Sequence, residues 1–183
     1  MKRIILLVSV LLFTFGSVFA TTTAKEMNVS VNPLSTLIGT SDVRLAIKIS
    51  DGDVIGLTGK YTFSPYSLTS KNGVDLKLAS IFGGVSFKHY LNDIAFSDSW
   101  IMEGYIDAGK TSIITSSEKI EFTIITTGFL GGYEWNWNSG INTELLGGLA
   151  YIYGTSNSTS KQLTATSVVG IAPIISWRVG YSF

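Results

Sequence analysis

From Asp42 to the last residue, apolar side chains return at every second position in one segment after another, a period that strands satisfy and helices do not. Val43, Leu45, Ile47 and Ile49 alternate with Asp42, Arg44, Ala46 and Lys48. After Ser50-Asp51-Gly52-Asp53, a tight-turn sequence, Ile55, Leu57, Gly59, Tyr61 and Phe63 alternate with Gly56, Thr58, Lys60 and Thr62. In the last segment Val169, Ile171, Pro173, Ile175, Trp177, Val179, Tyr181 and Phe183 share one face. Gly170, Ala172, Ile174, Ser176, Arg178, Gly180 and Ser182 share the other. Followed along the chain, alternation and turn residues predict eight strands, over 27–38, 42–50, 54–64, 76–90, 99–112, 120–137, 140–153 and 164–183.

The first twenty residues do not belong to this pattern. Lys2 and Arg3 precede an apolar run from Ile4 to Phe15, and Val18-Phe19-Ala20 supplies small residues for cleavage. This is a secretory signal peptide, too short in its apolar part to span a bilayer. Residues 1–20 are therefore expected to be removed, leaving 21–183 as one domain outside the cytoplasm. No other stretch is apolar and long enough for a membrane helix, so a membrane protein here must cross with strands.

Connections between the predicted strands fall into two kinds. With the N-terminus on the periplasmic side, 51–53, 91–98 and 138–139 lie at one end, and 39–41, 65–75, 113–119 and 154–163 at the other. The second set holds the longer polar loops, as outer-membrane barrels do. Composition then separates a membrane barrel from a soluble lipocalin-like one. Only 14% of residues are charged, against 45% hydrophobic, and the face opposite the apolar one is mostly Gly, Ser, Thr and Ala. Such a face suits a narrow interior better than a water-facing exterior. Trp100, Tyr133, Trp135, Trp137, Trp177, Tyr181 and Phe183 gather toward one rim, and Tyr61, Phe63, Tyr151 and Tyr153 toward the other, as interfacial girdles would. The fold class read from the sequence is all-β: an eight-stranded antiparallel up-and-down transmembrane β-barrel behind an N-terminal signal peptide.

The terminal Trp177-Arg-Val-Gly-Tyr-Ser-Phe183 resembles the signature that the barrel-assembly machinery reads in bacterial outer-membrane proteins, with Trp177, Val179, Tyr181 and Phe183 as its alternating residues. Gly131-Gly132-Tyr133-Glu134-Trp135 and Gly147-Gly148-Leu149-Ala150-Tyr151 are similar to strands of small OmpA/OmpX-like barrels. The resemblance implies a monomeric outer-membrane barrel in contact with lipid and lipopolysaccharide, without a periplasmic domain.

An eight-stranded barrel is just wide enough for its own side chains. By parity its inward set includes Arg44, Lys48, Lys60, Lys88 and Arg178 with Glu103, Asp107, Glu134 and Glu144. The bases come mostly from the second to fourth strands and the acids from the fifth to seventh, so the two arcs face each other. Arg178, Glu144 and Glu134 stand at similar distances from their strand ends and are expected to meet. Unpaired buried charges cost several kcal/mol each, so a cross-lumen ion-pair network plugging the barrel is expected; a polar solute path is the alternative. Pro33 and Pro173 strain the scheme, because both fall in strands that must pair to close the barrel. Either each marks a bulge or irregularity, or the first strand is shorter.

Catalytic and binding chemistry finds little support. The one histidine, His89, falls at the periplasmic end of the fourth strand on the outward face, opposite the leaflet where lipid A lies, so neighbouring Ser86 and Asp93 do not make a triad. Asp51-Gly52-Asp53 lacks the further ligands of a calcium loop, and Asn157-Ser158-Thr159 reads as a loop tip. With no cysteine, thiolate metal sites and disulfides are excluded, and 13 basic against 13 acidic residues leave no stripe for nucleic acid. No cofactor and no enzymatic activity are expected. A structural or surface-interaction role is the reading; a narrow porin-like channel, a lipid A-modifying enzyme and a soluble lipocalin-like binder are the alternatives.

Overall fold

The computed structural model describes residues 25–37, 39–63, 68–69, 75–114, 119–156 and 167–183; the stretch 1–20 expected to be a signal peptide and most of the loop residues predicted at 65–75, 113–119 and 154–163 lie outside them. The strands are β1 (Met27–Val31), β2 (Thr40–Lys48), β3 (Asp53–Phe63), β4 (Leu68–Thr69), β5 (Asp75–Tyr90), β6 (Ser99–Ile114), β7 (Lys119–Asn136), β8 (Ile141–Ser156) and β9 (Ser167–Ser182). One short helix, α1, covers Pro33–Leu37. Every long strand pairs antiparallel with its neighbours, β3 pairs directly with β5, and β1 pairs with β9, so eight strands close into a barrel. The two-residue β4 is an annex to β5.

Register fixes the barrel's shape. Val29 pairs with Leu45, and the ladder continues through Leu57, Val85, Ile106, Thr127, Tyr151 and Ile171. The β9–β1 register (Val29↔Tyr181) would bring Ile171 back opposite position 39, ten residues beyond the start. Eight strands with that stagger tilt by about 40° around a backbone cylinder of roughly 8 Å radius. Such a cylinder leaves room for side chains and little else.

The inside and outside follow the predicted parity. Arg44, Ala46, Val54, Ser86, Lys88, Glu103, Leu130, Glu144, Leu146, Ala150 and Ser176 are buried, while the residues alternating with them along each strand are exposed or half-buried. The outer surface is an apolar band: Ile55, Leu57, Ile81, Val85, Ile106, Phe129, Leu145, Leu149 and Ile171 all face out. From Ile141 to Tyr151 along β8 the band is about 25 Å tall, given a rise of about 3.3 Å per residue and the strand tilt. Among the described side chains, outward-facing charges stand only toward its two margins: Asp53 and His89 at one, Lys110 and Glu121 at the other. Trp100, Tyr133 and Trp135 line one margin in ring contact, at 5.5 and 5.0 Å between centroids. Tyr61, Tyr151 and Tyr153 are exposed toward the other.

Two expectations are corrected. The first strand does not run to 38; it stops at Val31, and the Asn32-Pro33 pair begins a helix instead. Asn32 caps it, its Oδ1 accepting from Ser35 N at 3.2 Å, and Pro33 occupies the first helical position, where its missing N–H costs nothing. Pro173 needs no bulge. Met27 and Phe183 exchange both backbone hydrogen bonds, so odd-numbered β9 residues aim their peptide groups toward β1. Pairing with β1 ends at Val31↔Val179, so Pro173 lies where no described strand asks for its N–H.

At the end holding the tight turns, the 91–98 connection folds back under the barrel. Phe96, 3% exposed, packs edge-on to Tyr90 at 6.2 Å within a cluster that includes Val54, Ile101 and Ala95. Tyr90 N donates to Gly52 O at 2.8 Å, binding the end of β5 to the turn between β2 and β3. Phe96 adopts φ 57, an unfavourable conformation for a bulky residue, held by that burial.

Candidate functional site

The lumen is where the polar chemistry gathers. Arg44 from β2, Lys88 from β5 and Arg178 from β9 meet Glu103 from β6, Glu134 from β7 and Glu144 from β8. Arg178 is the hub: Nη1 donates to Glu144 Oε1 at 2.6 Å and Glu103 Oε2 at 2.8 Å, and Nη2 to Glu103 Oε1 at 3.0 Å. Arg44 Nη1 reaches across the barrel to Glu103 and lies 3.9 Å from Glu144. Lys88 bridges Glu144 and Glu134, the latter at 2.9 Å. Three cations balance three carboxylates, all essentially buried, so the cluster is neutral as a whole and each charge has a partner. That balance is what makes the burial tolerable.

Of the nine predicted lumen charges, these six form one cluster. Lys60 and Asp107 form a separate pair higher in the lumen, with Thr58 Oγ1 donating to Asp107 Oδ1 at 2.8 Å and Lys60 Nζ 5.5 Å from the Tyr105 ring centre. Gly84 makes this pair possible, because a Cβ there would collide with the Asp107 carboxylate. Lys48 is not in the network: it sits beside the first turn and pairs with exposed Asp51 at 3.0 Å. Its position near the strand's end puts the turn carboxylate closer than any lumen acid. The expected meeting of Arg178 with both Glu144 and Glu134 is half realised; Arg178 takes Glu144 and Glu103, while Glu134 is reached only through Lys88.

Parity reasoning missed three contributors. Tyr90 donates its hydroxyl to Glu134 at 2.7 Å, and Asn136 Nδ2 donates to the other oxygen of the same carboxylate at 2.9 Å. Both stand on the inward face of their strands, so the same alternation that found the charges contained them. Phe96 was assigned to a connection and carried no strand parity; the apolar Ile94-Ala95-Phe96 run inside a short turn was its one signal.

Glycines shape the cluster as much as charges do. A side chain at Gly56 would run into Arg44 and Ser86, so that gap lets the guanidinium lie against β3. At the C-terminal strand, Trp177 is 40% exposed and donates Nε1 to Thr143 Oγ1 at 2.9 Å, Val179 pairs with Val31, and the Tyr181 and Phe183 rings stack at 6.3 Å. These four alternate on the outer face, as predicted for them. His89 Nδ1 lies 2.8 Å from Asp53 Oδ1 at the rim, but Ser50 Oγ donates to Asp53 rather than to the imidazole, which is not the order of a catalytic triad.

No family model, curated protein or solved structure matches the chain. What the coordinates define is a class of architecture: a closed eight-stranded antiparallel barrel with a buried salt-bridge network in its lumen and an apolar outer surface.

Proposed function

We propose that the protein is a bacterial outer-membrane β-barrel of the OmpA/OmpX-like kind, exported by its N-terminal signal peptide, with a structural or surface-interaction role rather than a catalytic one. The observation that carries this reading is the inversion of polarity: neutral charge clusters inside, and an outer band about 25 Å tall whose described charges stand only toward its margins. A water-soluble barrel with that exterior would carry an apolar belt far larger than monomers tolerate. The six-charge cluster and the Phe96 floor then plug the lumen, and Trp177, Val179, Tyr181 and Phe183 present an alternating edge for the barrel-assembly machinery. The turn end faces the periplasm, and the loops after β3, β6 and β8 face outward, beside lipopolysaccharide.

The test has two parts. On unboiled gels of membranes from expressing cells the folded form should migrate faster than the boiled form, and in planar bilayers it should show no steady conductance. Recovery of the chain in soluble periplasm would replace this reading by a secreted binding barrel. A steady open level would replace the plug by a narrow channel.

A further inference from the structure

Above Val31 the barrel wall changes. β1 ends there, paired with β9 only from Asn28↔Ser182 to Val31↔Val179, whereas β9 continues back from Arg178 to Ser167. No described strand pairs with that side of β9. In its place α1 lies between β2 and β9, tied at its base where Asn32 Nδ2 donates to Ser176 Oγ at 3.3 Å. A helix of five residues spans about 7.5 Å, and the β9 stretch from Arg178 to Ser167 covers roughly 36 Å, so α1 can cover only part of the seam. Pro173 removes a donor from this edge, which blunts it against pairing with another strand.

The β9 edge of the seam is apolar outside and in. Outside, Ile171 and Ile175 are 73% and 71% exposed, among the most exposed aliphatics of the wall. Inside, the neighbouring inward positions are Ala150, Ile152, Ala172 and Ile174, where barrels of this kind usually set polar residues. A Cβ added at Gly170, also inward, would meet nothing within 4 Å, so the β9 wall leaves space beside that position. The β2 edge carries inward Asp42, with Lys60 on β3 beside it, and Asp107 stands across the lumen on β6. Below, the six-charge cluster and Phe96 close the way to the turn end.

We propose that the seam between β9 and β2 above Val31 is a lateral portal through which the acyl chain of a bilayer lipid enters the upper lumen. The inference rests on the membrane reading above. An apolar β9 inner wall with space at Gly170, beside an apolar outer edge that no described strand pairs, suits a hydrocarbon chain, and the charged floor prevents it from passing through.

The chain has no cysteine, so single cysteines can be labelled cleanly with a small fluorophore. Ala172→Cys reports from inside the seam, Ile171→Cys from the outer face, and Thr126→Cys from inside the wall two strands away at similar height. The full protein is placed in vesicles whose lipids carry brominated acyl chains, which quench on contact. Ala172→Cys should be quenched as strongly as Ile171→Cys and about threefold more than Thr126→Cys, where the closed wall excludes lipid. Quenching at Ala172 no greater than at Thr126, with Ile171 quenched, overturns the portal and leaves the membrane reading standing. No quenching at Ile171 removes the membrane reading, and the portal with it. Ile174→Cys is a second inward reporter if Ala172→Cys fails to fold.

Discussion

Replacing Arg178 by methionine tests whether the lumen cluster behaves as a unit. The side chain makes three hydrogen bonds to two carboxylates and is about one-tenth exposed. Methionine fills much of the same volume but leaves Glu103, Glu134 and Glu144 with only Arg44 and Lys88, a buried net charge of −1. Breaking a buried pair in this way costs about 3–5 kcal/mol. At 1.4 kcal/mol per tenfold, the folding equilibrium should fall by about two to three and a half orders of magnitude. The change should be read from reversible urea unfolding of the folded protein in lipid vesicles, followed by tryptophan fluorescence. The decisive comparison is Arg178→Met with Glu103→Met added. That double variant removes one charge of each sign; Arg44 then keeps Glu144 at 3.9 Å and Lys88 keeps both of its acids. The double variant should therefore be more stable than the sum of the single losses predicts, by about 2 kcal/mol. Additive single effects, or an Arg178→Met loss under about 1 kcal/mol, would show that the charges do not hold one another and that the network reading is wrong.

Three further outcomes follow from the geometry. Leu145, 49% exposed near mid-height of the band, should lose about 2–4 kcal/mol as Leu145→Arg in vesicles, measured by the same unfolding; a change within about 0.5 kcal/mol would point to a water-facing surface. Gly84→Ala should lose about 1–3 kcal/mol in that assay because its Cβ displaces Asp107 from Lys60 and Thr58. Gly147→Ala, outward and with nothing within 4 Å of the added Cβ, should stay within about 0.5 kcal/mol of the parent.

Much of this fold is legible because a barrel repeats one rule. Period two assigns inside and outside to every strand residue at once, so Arg44, Glu103, Glu144 and Arg178 could be placed in the lumen before their partners were known. What parity cannot supply is height and reach. Lys48 has the right face but lies beside Asp51, and a lysine takes the acid its chain can reach. Glu134 has the right face, yet Lys88 stands between it and Arg178. Alternation through Val31-Asn-Pro-Leu-Ser-Thr-Leu37 overstates the first strand, because Asn-Pro is a helix start. Phe96 was invisible for a different reason: it belongs to a connection, and nothing periodic says which way a connection folds.

The short first strand and the position of the charge cluster are connected. Barrel closure relies on the β1–β9 ladder, which joins four residue pairs, while β8 and β9 join from Ile141↔Tyr181 to Thr155↔Ser167. Arg178 is the first β9 residue beyond that short ladder, and from there it binds Glu103 on β6 and Glu144 on β8. Arg44, one strand past β1, binds Glu103 as well. Glu103 thus ties together the strands on both sides of β1, so the cross-lumen ion pairs brace the wall at the level where its backbone hydrogen bonds run out. Below that level Asn28, Asn142 and Ser182 continue the bracing with side-chain hydrogen bonds of 3.0 and 2.6 Å. Above it, among the described residues, α1 alone lies between β2 and β9. The network therefore sets how far down the seam can open, and a barrel lacking Arg178 should lose its closure first along β1.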